Sequence, residues 1–303
     1  MSKIPKPLKK GDTIGLVCPS GFMPFEKVEN CIQTLKLWGY KVELGNTVGS
    51  RDNYFSGSDE TRLHDIQQMM DNKNIHAILC ARGGYGLGRI IDRINFKTFI
   101  KNPKWIIGFS DITVLHSHLY SNYKIASLHA PMAGAFNENE LDNEYINSLK
   151  LALEGKKANY TCASHPFNQN GKAKGKLIGG NLSLITHLIG TSSDVDTKGK
   201  VLFLEDVGEY IYNIDRMMYQ LKRSGKLNKL EGLIIGGFTE IKDTANPFGQ
   251  TAEEVIREVI KEFEFPYCFN FPVSHSIKNY ALKIGVEYDL KINDKITSLI
   301  ELK

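Results

Sequence analysis

Short apolar runs alternate with segments of helical periodicity through the first half of the chain. The runs TIGLVCPS, IHAILCA and WIIGF are typical of buried strands, while FEKVENCIQTLKLWG, DETRLHDIQQMMDN and DITVLHSHLYSNY carry apolar residues at helical spacing. This alternation predicts an α/β fold with a mostly parallel sheet covered by helices on both faces. Ligands bind such sheets beyond the carboxyl ends of the strands. Ser20, the turn 82–84 and the pair 110–111 are therefore expected along one edge.

The second half of the chain has a different pattern. Residues 156–172 are polar and rich in glycine and asparagine, which is typical of a linker, with one short strand inside it. Beyond it, GGNLSLITHLIGT and NIDRMMYQLKRSG predict helices, KVLFLEDV and LEGLIIGGF predict strands, and ALKIGVEYDLKI and ITSLIEL predict a closing β-ribbon. We therefore expect an N-terminal domain over residues 1–155 and a smaller α+β domain over residues 173–303.

Composition excludes several classes of protein. Of the 303 residues, 42% are hydrophobic and 24% charged, which is ordinary for a globular protein and argues against disorder. The net charge of +4 is dispersed, and no zinc-finger or RNP-like motif accompanies it, so nucleic-acid binding is not expected. Five cysteines without a Cys-x-x-Cys pair argue for reduced thiols rather than disulfides or zinc. No signal-peptide pattern or membrane-length apolar run is present, so a cytoplasmic location is expected.

Ser110 stands where the predicted strand WIIGF turns into the helix DITVLHSHLYSNY. A serine at a sharp strand-to-helix turn has the geometry of a nucleophile elbow, which exposes the hydroxyl beside a helix N-terminus. The peptide N–H of Asp111 would then help to stabilise a tetrahedral oxyanion. The stretch Gly-Phe-Ser-Asp-Ile lacks the second glycine of Gly-x-Ser-x-Gly. The competing interpretation is that Ser110 simply caps the helix.

A serine nucleophile needs a base, which in turn needs an orienting carboxylate. His275 lies in the loop FPVSHSIKN, between a predicted strand and the closing ribbon, where an imidazole could reach a cleft or simply be exposed. Glu205 and Asp206 follow the apolar run VLFL, and Glu209 follows a glycine. This acidic cluster could orient a histidine, form a solvated turn or bind a divalent metal, and its spacing leaves the three open.

The glycine cluster ARGGYGLGR, residues 81–89, follows a predicted strand and opens a helix. It matches neither Gly-x-Gly-x-x-Gly nor the P-loop pattern, which weakens a nucleotide-binding interpretation. The alternative is a turn whose bare backbone approaches a substrate carbonyl and donates a peptide N–H to it.

Taken together, these stretches resemble the LD-carboxypeptidases, a family of serine peptidases that also includes the microcin C self-immunity peptidases. The resemblance runs in order along almost the whole chain through GDTIGLVCPSG, ILCARGGYGLGRIID, IIGFSDITVLH, GKLIGGNLSLITHLIGT, LFLEDVGEYIYNIDRMMYQL and FPVSHSIKNYALKIG. It implies a flavodoxin-like N-terminal domain, a C-terminal domain of swivelling β/β/α type and an active site between them.

The resemblance also implies a catalytic triad. Ser110 matches the nucleophile of the family, His275 its base, and Glu205 the orienting carboxylate, with Glu209 as the second candidate for that role. Neither a metal nor an organic cofactor is expected.

Oxyanion donors are implied around the reacting bond. The oxyanion donors would be the backbone N–H of Asp111 and one N–H from the turn Gly83-Gly84. A carboxypeptidase must also bind the terminal carboxylate of its substrate; Arg82, beside that turn, is a candidate for this role, and the alternative is that it forms a structural ion pair.

The implied substrate is a muropeptide tetrapeptide. The family splits the amide between the L-centre of a diamino acid and a terminal D-alanine during cell-wall recycling, and a homodimer is expected. The nearest alternative is an immunity-type peptidase acting on an aminoacyl-nucleotide. Such enzymes add aromatic loop residues, whereas the two tryptophans here, Trp38 and Trp105, lie outside the second domain. A third hypothesis is a ligand-binding module without turnover.

Overall fold

The computed structural model describes residues 2–137 and 143–302. Across those residues no helix combines the length and the apolar character needed to cross a membrane. The five cysteines are all free thiols, and only Cys162 is not fully buried.

The chain divides into two compact units. The first comprises Met1–Lys156 and Tyr280–Ile284, and the second comprises Lys157–Asn279 and Gly285–Lys303. The chain thus enters the second unit at Lys157, returns briefly to the first at Tyr280, and enters the second again at Gly285.

A six-stranded sheet with the order β11-β5-β4-β3-β1-β2 forms the centre of the first unit. All neighbouring strands are parallel except the edge pair β5 and β11. Every residue of β3 and β4 is buried, as expected for a parallel sheet with both faces covered. Its strands are β1 (Thr13–Val17), β2 (Lys41–Leu44), β3 (Ala77–Cys80), β4 (Trp105–Gly108), β5 (Ser127–His129) and β11 (Leu282–Ile284).

Helices connect the parallel strands of the first unit. The longest, α2, begins at an N-cap serine, Ser58, whose hydroxyl accepts a hydrogen bond from the N–H of Thr61. The α-helices are α1 (Glu29–Leu37), α2 (Asp59–Asp71), α3 (Lys97–Lys101), α4 (Thr113–Tyr123) and α5 (Glu144–Leu153). The 3₁₀-helices are Phe25–Lys27, Leu87–Arg89, Ile91–Arg93, Ser110–Ile112 and Ala133–Asn137.

A seven-stranded mixed sheet with the order β10-β9-β8-β7-β12-β13-β6 forms the second unit. The strands from β10 to β7 are parallel neighbours, and those from β7 to β6 are antiparallel. The strands are β6 (Asn159–Ala163), β7 (Gly171–Asn181), β8 (Lys200–Val207), β9 (Gly232–Thr239), β10 (Tyr267–Cys268), β12 (Glu287–Ile292) and β13 (Ile296–Glu301). The helices are α6 (Leu182–His187), α7 (Ile211–Arg223) and α8 (Ala252–Ile260).

Two segments differ from the sequence-based expectation. Residues 156–172, expected as a linker with one short strand, contain that strand as β6 and also the start of β7, and β6 pairs with β13 at the edge of the second sheet rather than standing in a linker. The run ALKIGVEYDLKI, expected as one strand of a ribbon, is divided at Gly285, whose φ of +81° allows a turn. Its first part, β11, pairs with β5, and its second part, β12, joins the other sheet.

Candidate active site

Ser110 occupies a strained turn between β4 and α4. Its φ of +63° lies in the left-handed region, which a non-glycine residue adopts only when the surrounding structure enforces it. Ser110 begins the 3₁₀-helix 110–112 rather than standing at an N-cap position, and Phe109 and Ile112 precede the two helical segments. The capping interpretation is therefore not supported, and the backbone has the geometry of a nucleophile elbow.

The turn leaves no room for a side chain at Gly108, and a hydrogen bond from His116 holds its carbonyl group. A Cβ on Gly108 would lie 2.9 Å from Cγ1 of Ile112, so only glycine fits at the end of β4. The carbonyl of Gly108 accepts a hydrogen bond of 2.8 Å from Nε2 of His116. Burial lowers the pKa of His116 to about 4, so the ring is neutral at physiological pH and serves as a fixed donor.

The glycine turn after β3 lies against Ser110. A Cβ on Gly83 would lie 2.7 Å from Cβ of Ser110 and 3.0 Å from its Oγ. Within the described parts of the chain, the N–H groups of Gly83 and Gly84 have no hydrogen-bond acceptor. Gly83 is buried, whereas the residues on either side of it, Arg82 and Gly84, are exposed. The structure thus brings the expected oxyanion turn and the expected nucleophile together.

The side chain of Asp111 joins three loops at the elbow, a role that sequence reasoning missed. This carboxylate is 1% exposed, and its Oδ2 accepts hydrogen bonds from Oγ of Ser20, at 2.6 Å, and from the N–H of Leu87, at 2.8 Å. The three loops follow β1, β3 and β4, as the sequence pattern predicts for segments that meet at one edge of the sheet. Nothing in the local sequence indicates this tie, because Ser20 and Leu87 lie 91 and 24 residues from Asp111 along the chain.

Glu205 and His275 form a close pair in the second unit. Nδ1 of His275 lies 2.6 Å from Oε2 of Glu205, and the carboxylate side chain is fully buried. Burial lowers the pKa of His275, but the hydrogen bond and the charge of Glu205, reinforced by the charges of Asp206 and Glu240, outweigh it and raise the pKa above its ordinary value. Because the Glu205 carboxylate accepts a hydrogen bond from Nδ1, the ring proton stays on Nδ1. Nε2 is then the nitrogen that can exchange a proton with another group.

Within the described ranges, only one oxygen of the Glu205 carboxylate has a hydrogen-bond partner. Its Oε1 is buried and makes no hydrogen bond to any residue of the described ranges. A buried carboxylate oxygen without a donor costs free energy, and such groups concentrate at functional sites.

Two glycines of β9 allow the His275 loop to reach Glu205. A Cβ on Gly236 would lie 2.2 Å from the carbonyl oxygen of Val273, and one on Gly237 would lie 2.6 Å from Cβ of Ser274. The N–H of Gly237 donates to that same carbonyl, at 2.9 Å. The bare backbone of a Gly-Gly pair inside a strand is thus what lets the loop pack directly against it.

Asp206, next to Glu205, is held by four donors. Its Oδ1 accepts from Nδ2 of Asn181 and the N–H of Val207, and its Oδ2 accepts from both the N–H and the hydroxyl of Ser183. Burial raises the pKa of Asp206 to about 6 although these donors act in the opposite direction. Its partners are all donors, so the carboxylate serves as an anchor for the start of α6.

Glu209, the second candidate for the orienting role, contacts a different residue. Oε2 of Glu209 accepts a hydrogen bond of 3.0 Å from Nδ2 of Asn213, so Glu205 rather than Glu209 is the glutamate that contacts His275. No group of three histidine, cysteine or acidic side chains in the described ranges is arranged to hold a metal ion. Ser110 and its glycine turn belong to the first unit, and the Glu205–His275 pair belongs to the second.

Comparison with known proteins identifies the family. Two family models match the chain, the LD-carboxypeptidase N-terminal domain over residues 14–130 and the LD-carboxypeptidase C-terminal domain over residues 174–290. The chain belongs to the LD-carboxypeptidase family. The family and the two-part α/β fold predicted from the sequence are both confirmed.

Relatives of this LD-carboxypeptidase family member match it over nearly their whole length. A probable murein peptide carboxypeptidase of Bacillus subtilis (strain 168) is 34% identical over 302 residues, covering 98% of this chain and 94% of the relative. The microcin C7 self-immunity protein MccF of Escherichia coli is 26% identical, covering 97% and 95%. The crystal structure of muramoyltetrapeptide carboxypeptidase from Oxalobacter formigenes has a TM-score of 0.88 at 26% identity, covering 96% and 99%.

Proposed function

We propose that this protein is a serine carboxypeptidase that removes the terminal D-alanine of muropeptide tetrapeptides. In this proposal Ser110 is the nucleophile, His275 the general base and Glu205 the carboxylate that orients it. The observation that carries the proposal is the 2.6 Å contact between Nδ1 of His275 and the buried Glu205 carboxylate. A histidine held in one tautomer by a buried carboxylate is the base that a serine nucleophile requires.

The proposed reaction proceeds through an acyl-enzyme. Nε2 of His275 accepts the proton of Ser110 as Oγ attacks the carbonyl carbon, and Glu205 stabilises the imidazolium that forms. The N–H groups of Asp111 and the Gly83–Gly84 turn donate to the oxyanion. His275 then protonates the leaving amine, and water attacks the acyl-enzyme with the same histidine as base, which regenerates the serine hydroxyl.

The left-handed turn at Ser110 supports the nucleophile assignment. Holding a serine at a φ of +63° costs on the order of 1–3 kcal/mol, and such strain persists at sites where function depends on it. The adjacent N–H groups of the glycine turn, which lack acceptors within the described ranges, support the oxyanion assignment.

The relatives support the substrate class. The Bacillus subtilis relative is named a probable murein peptide carboxypeptidase, and the Oxalobacter formigenes neighbour a muramoyltetrapeptide carboxypeptidase. A carboxypeptidase must also bind the terminal carboxylate, and we propose the exposed guanidinium of Arg82, next to the glycine turn, for that role.

The test is direct. The purified protein is incubated, in the presence of a chelator, with a muropeptide tetrapeptide ending in D-alanine, and the products are identified by mass spectrometry. We expect free D-alanine from the wild type and a loss of turnover on the order of 10⁴-fold or more in Ser110→Ala and His275→Ala. The control is His187→Ala, which changes an exposed histidine of the second unit and should retain full turnover. Wild-type rates in either triad variant would disprove the assignment.

A second candidate function is cleavage of an aminoacyl-nucleotide, favoured by the similarity to MccF over 97% of the chain. It would use the same proposed triad with a different leaving group. An aminoacyl sulfamoyl adenosine in the same assay separates the two: cleavage of this compound without release of D-alanine from the tetrapeptide would replace the first proposal by the second. No turnover of either compound by the folded protein would favour a ligand-binding module.

A further inference from the structure

A basic cleft lies in the first unit at the amino ends of its parallel strands. It encloses about 700 Å³ and is formed by the N-terminal segment on one side and, on the other, by the chain that leads into β3 and β4. The proposed nucleophile follows the carboxyl end of β4, so this cleft lies at the opposite edge of the same sheet. It is therefore separate from the proposed catalytic residues of this unit.

Positive charge is concentrated around this cleft. Five lysines line it and only one acidic residue, Asp12, so the lining carries a net charge of +4, equal to that of the whole chain. The cationic residues are Lys6, Lys9, Lys73, Lys101 and Lys104. Over the rest of the sequence, acidic and basic residues are equal in number.

Four of the lysines have free ammonium groups. Among residues 2–137 and 143–302, Lys6, Lys9, Lys73 and Lys101 form no ion pair, and all four are exposed. Lys104 differs, because it is buried and its Nζ donates to backbone carbonyls at the end of α2, including that of Met69 at 2.9 Å. The four exposed lysines can therefore reach a ligand, while the buried Lys104 contributes positive charge to the lining.

The one acidic residue of the lining is already engaged. Oδ2 of Asp12 accepts from the N–H of Lys9 at 2.7 Å, and its Oδ1 lies 3.5 Å from Nε2 of His76. The N–H of Thr13 donates to Nδ1 of His76 at 3.1 Å, which fixes the proton on Nε2, facing the carboxylate. These contacts hold Asp12 in place, and its single negative charge leaves the lining with the net charge of +4.

The walls of the cleft are anchored and partly apolar. The N-terminal segment is held by hydrogen bonds from Nε1 of Trp105 to the carbonyl of Lys6, at 3.1 Å, and from the N–H of Leu8 to the carbonyl of Leu153, at 2.8 Å. Apolar residues lie between the lysines, namely Ile4, Pro5, Pro7, Leu8 and Ile75. A volume of this size is ordinary for a small-molecule site, and mixed apolar and charged walls are typical of one.

We propose that this cleft binds a small soluble molecule carrying two or more phosphate groups. Lysine ammonium groups bind phosphate as mobile point charges, and several of them around one concave site concentrate anions there. The proposal is independent of the peptidase assignment, because it concerns another edge of the sheet.

Binding is measured by isothermal titration calorimetry of the full-length protein with inorganic tripolyphosphate. We expect one site in the wild type, an affinity that falls as salt rises, and binding about tenfold weaker or worse in the double variant Lys73→Glu/Lys101→Glu. The matched control, Lys174→Glu/Lys295→Glu, makes the same change of charge at exposed lysines of the second unit and should bind like the wild type. The milder variant Lys73→Gln/Lys101→Gln repeats the test should charge reversal impair folding.

Each contrary result overturns the proposal. Absence of tripolyphosphate binding by the wild type would do so, and so would equal weakening in the control variant, since the effect would then be one of net charge alone. Citrate binding as tightly as tripolyphosphate would reject phosphate as the recognised group. Co-sedimentation with phosphatidylglycerol vesicles, lost in Lys73→Glu/Lys101→Glu and unaffected by competing tripolyphosphate, would assign the lysines to a lipid surface instead.

Discussion

The two halves of the proposed triad are positioned in different ways. Ser110 is presented by a short continuous stretch in which a strained backbone, a glycine at the end of β4 and a glycine turn confine one side chain. His275 and Glu205 are 70 residues apart and meet because a loop packs on the glycines of β9 and because β8 ends in a buried carboxylate. A backbone conformation holds the nucleophile, whereas packing and charge hold the base. The two sites should therefore fail under different substitutions.

The largest effect of the remaining tests is expected where charge holds the base. Glu205→Gln keeps the size of the side chain but removes the charge that orients and stabilises His275, so kcat should fall on the order of 10³-fold. Glu209→Gln is the matched control, because Glu209 contacts Asn213 rather than the histidine, and it should change kcat less than about threefold. Steady-state kinetics on the tetrapeptide decides between them. A larger loss in Glu209→Gln would transfer the orienting role to that residue.

A smaller effect is expected where a glycine supports the backbone of each site. A Cβ on Gly83 would lie 2.7 Å from Cβ of Ser110, and one on Gly237 would lie 2.6 Å from Cβ of Ser274, the neighbour of His275. Displacing a reacting group by about 1 Å can cost about 10²-fold in rate, so Gly83→Ala and Gly237→Ala should each reduce kcat by that order.

Gly134→Ala serves as the control for both glycine variants. A Cβ there would meet only Cε of Met23, at 3.9 Å, so kcat should be unaffected. Thermal unfolding of the three variants shows whether the loss is local. Full activity in Gly83→Ala would mean that the glycine turn does not confine the nucleophile.

The smallest effect is a shift in the pH dependence. His275 must be neutral to act as a base, and its raised pKa moves the acid limb of kcat/KM to higher pH than an ordinary histidine would give. In Glu205→Gln the charge that raises this pKa is removed while burial, which lowers it, remains, so the limb should move to lower pH. Profiles of both proteins between about pH 5 and 9 measure the shift. An acid limb that stays in place would show that Glu205 does not control the ionisation of His275.

Protein stability should follow the same ionisation. Since the pKa of His275 is raised on folding, the charged pair contributes its full stabilisation below the pKa of the unfolded histidine and loses it as pH rises through the folded value. Glu205→Gln should therefore lower the melting temperature more at acidic than at alkaline pH.

Sequence patterns were sufficient for the elements with strong local periodicity. The alternation of strands and helices predicted the parallel sheet of the first unit, and the turn at Ser110 was located from its position between β4 and α4. The patterns predicted a short strand within the linker but not that this strand, β6, joins the second sheet, and they missed the transfer of β11 to the first sheet. Both strands are edge strands whose partners, β13 and β5, lie more than 100 residues away along the chain, so nothing in the local composition could indicate the pairing.

The candidate site shows the same division. Residue types and their order along the chain, together with the family they resemble, were enough to single out Ser110, Glu205 and His275, because a reactive hydroxyl, a carboxylate and an imidazole are recognisable without coordinates. Spacing left open which glutamate contacts the histidine, and it gave no sign that the carboxylate of Asp111 ties three loops together. Those answers depend on contacts between residues far apart along the chain. Asp111 contacts residues 24 and 91 positions away, and His275 contacts Glu205, 70 positions away. Such contacts form only when the sheets are assembled, since burial and close packing arise from the whole unit rather than from any one segment.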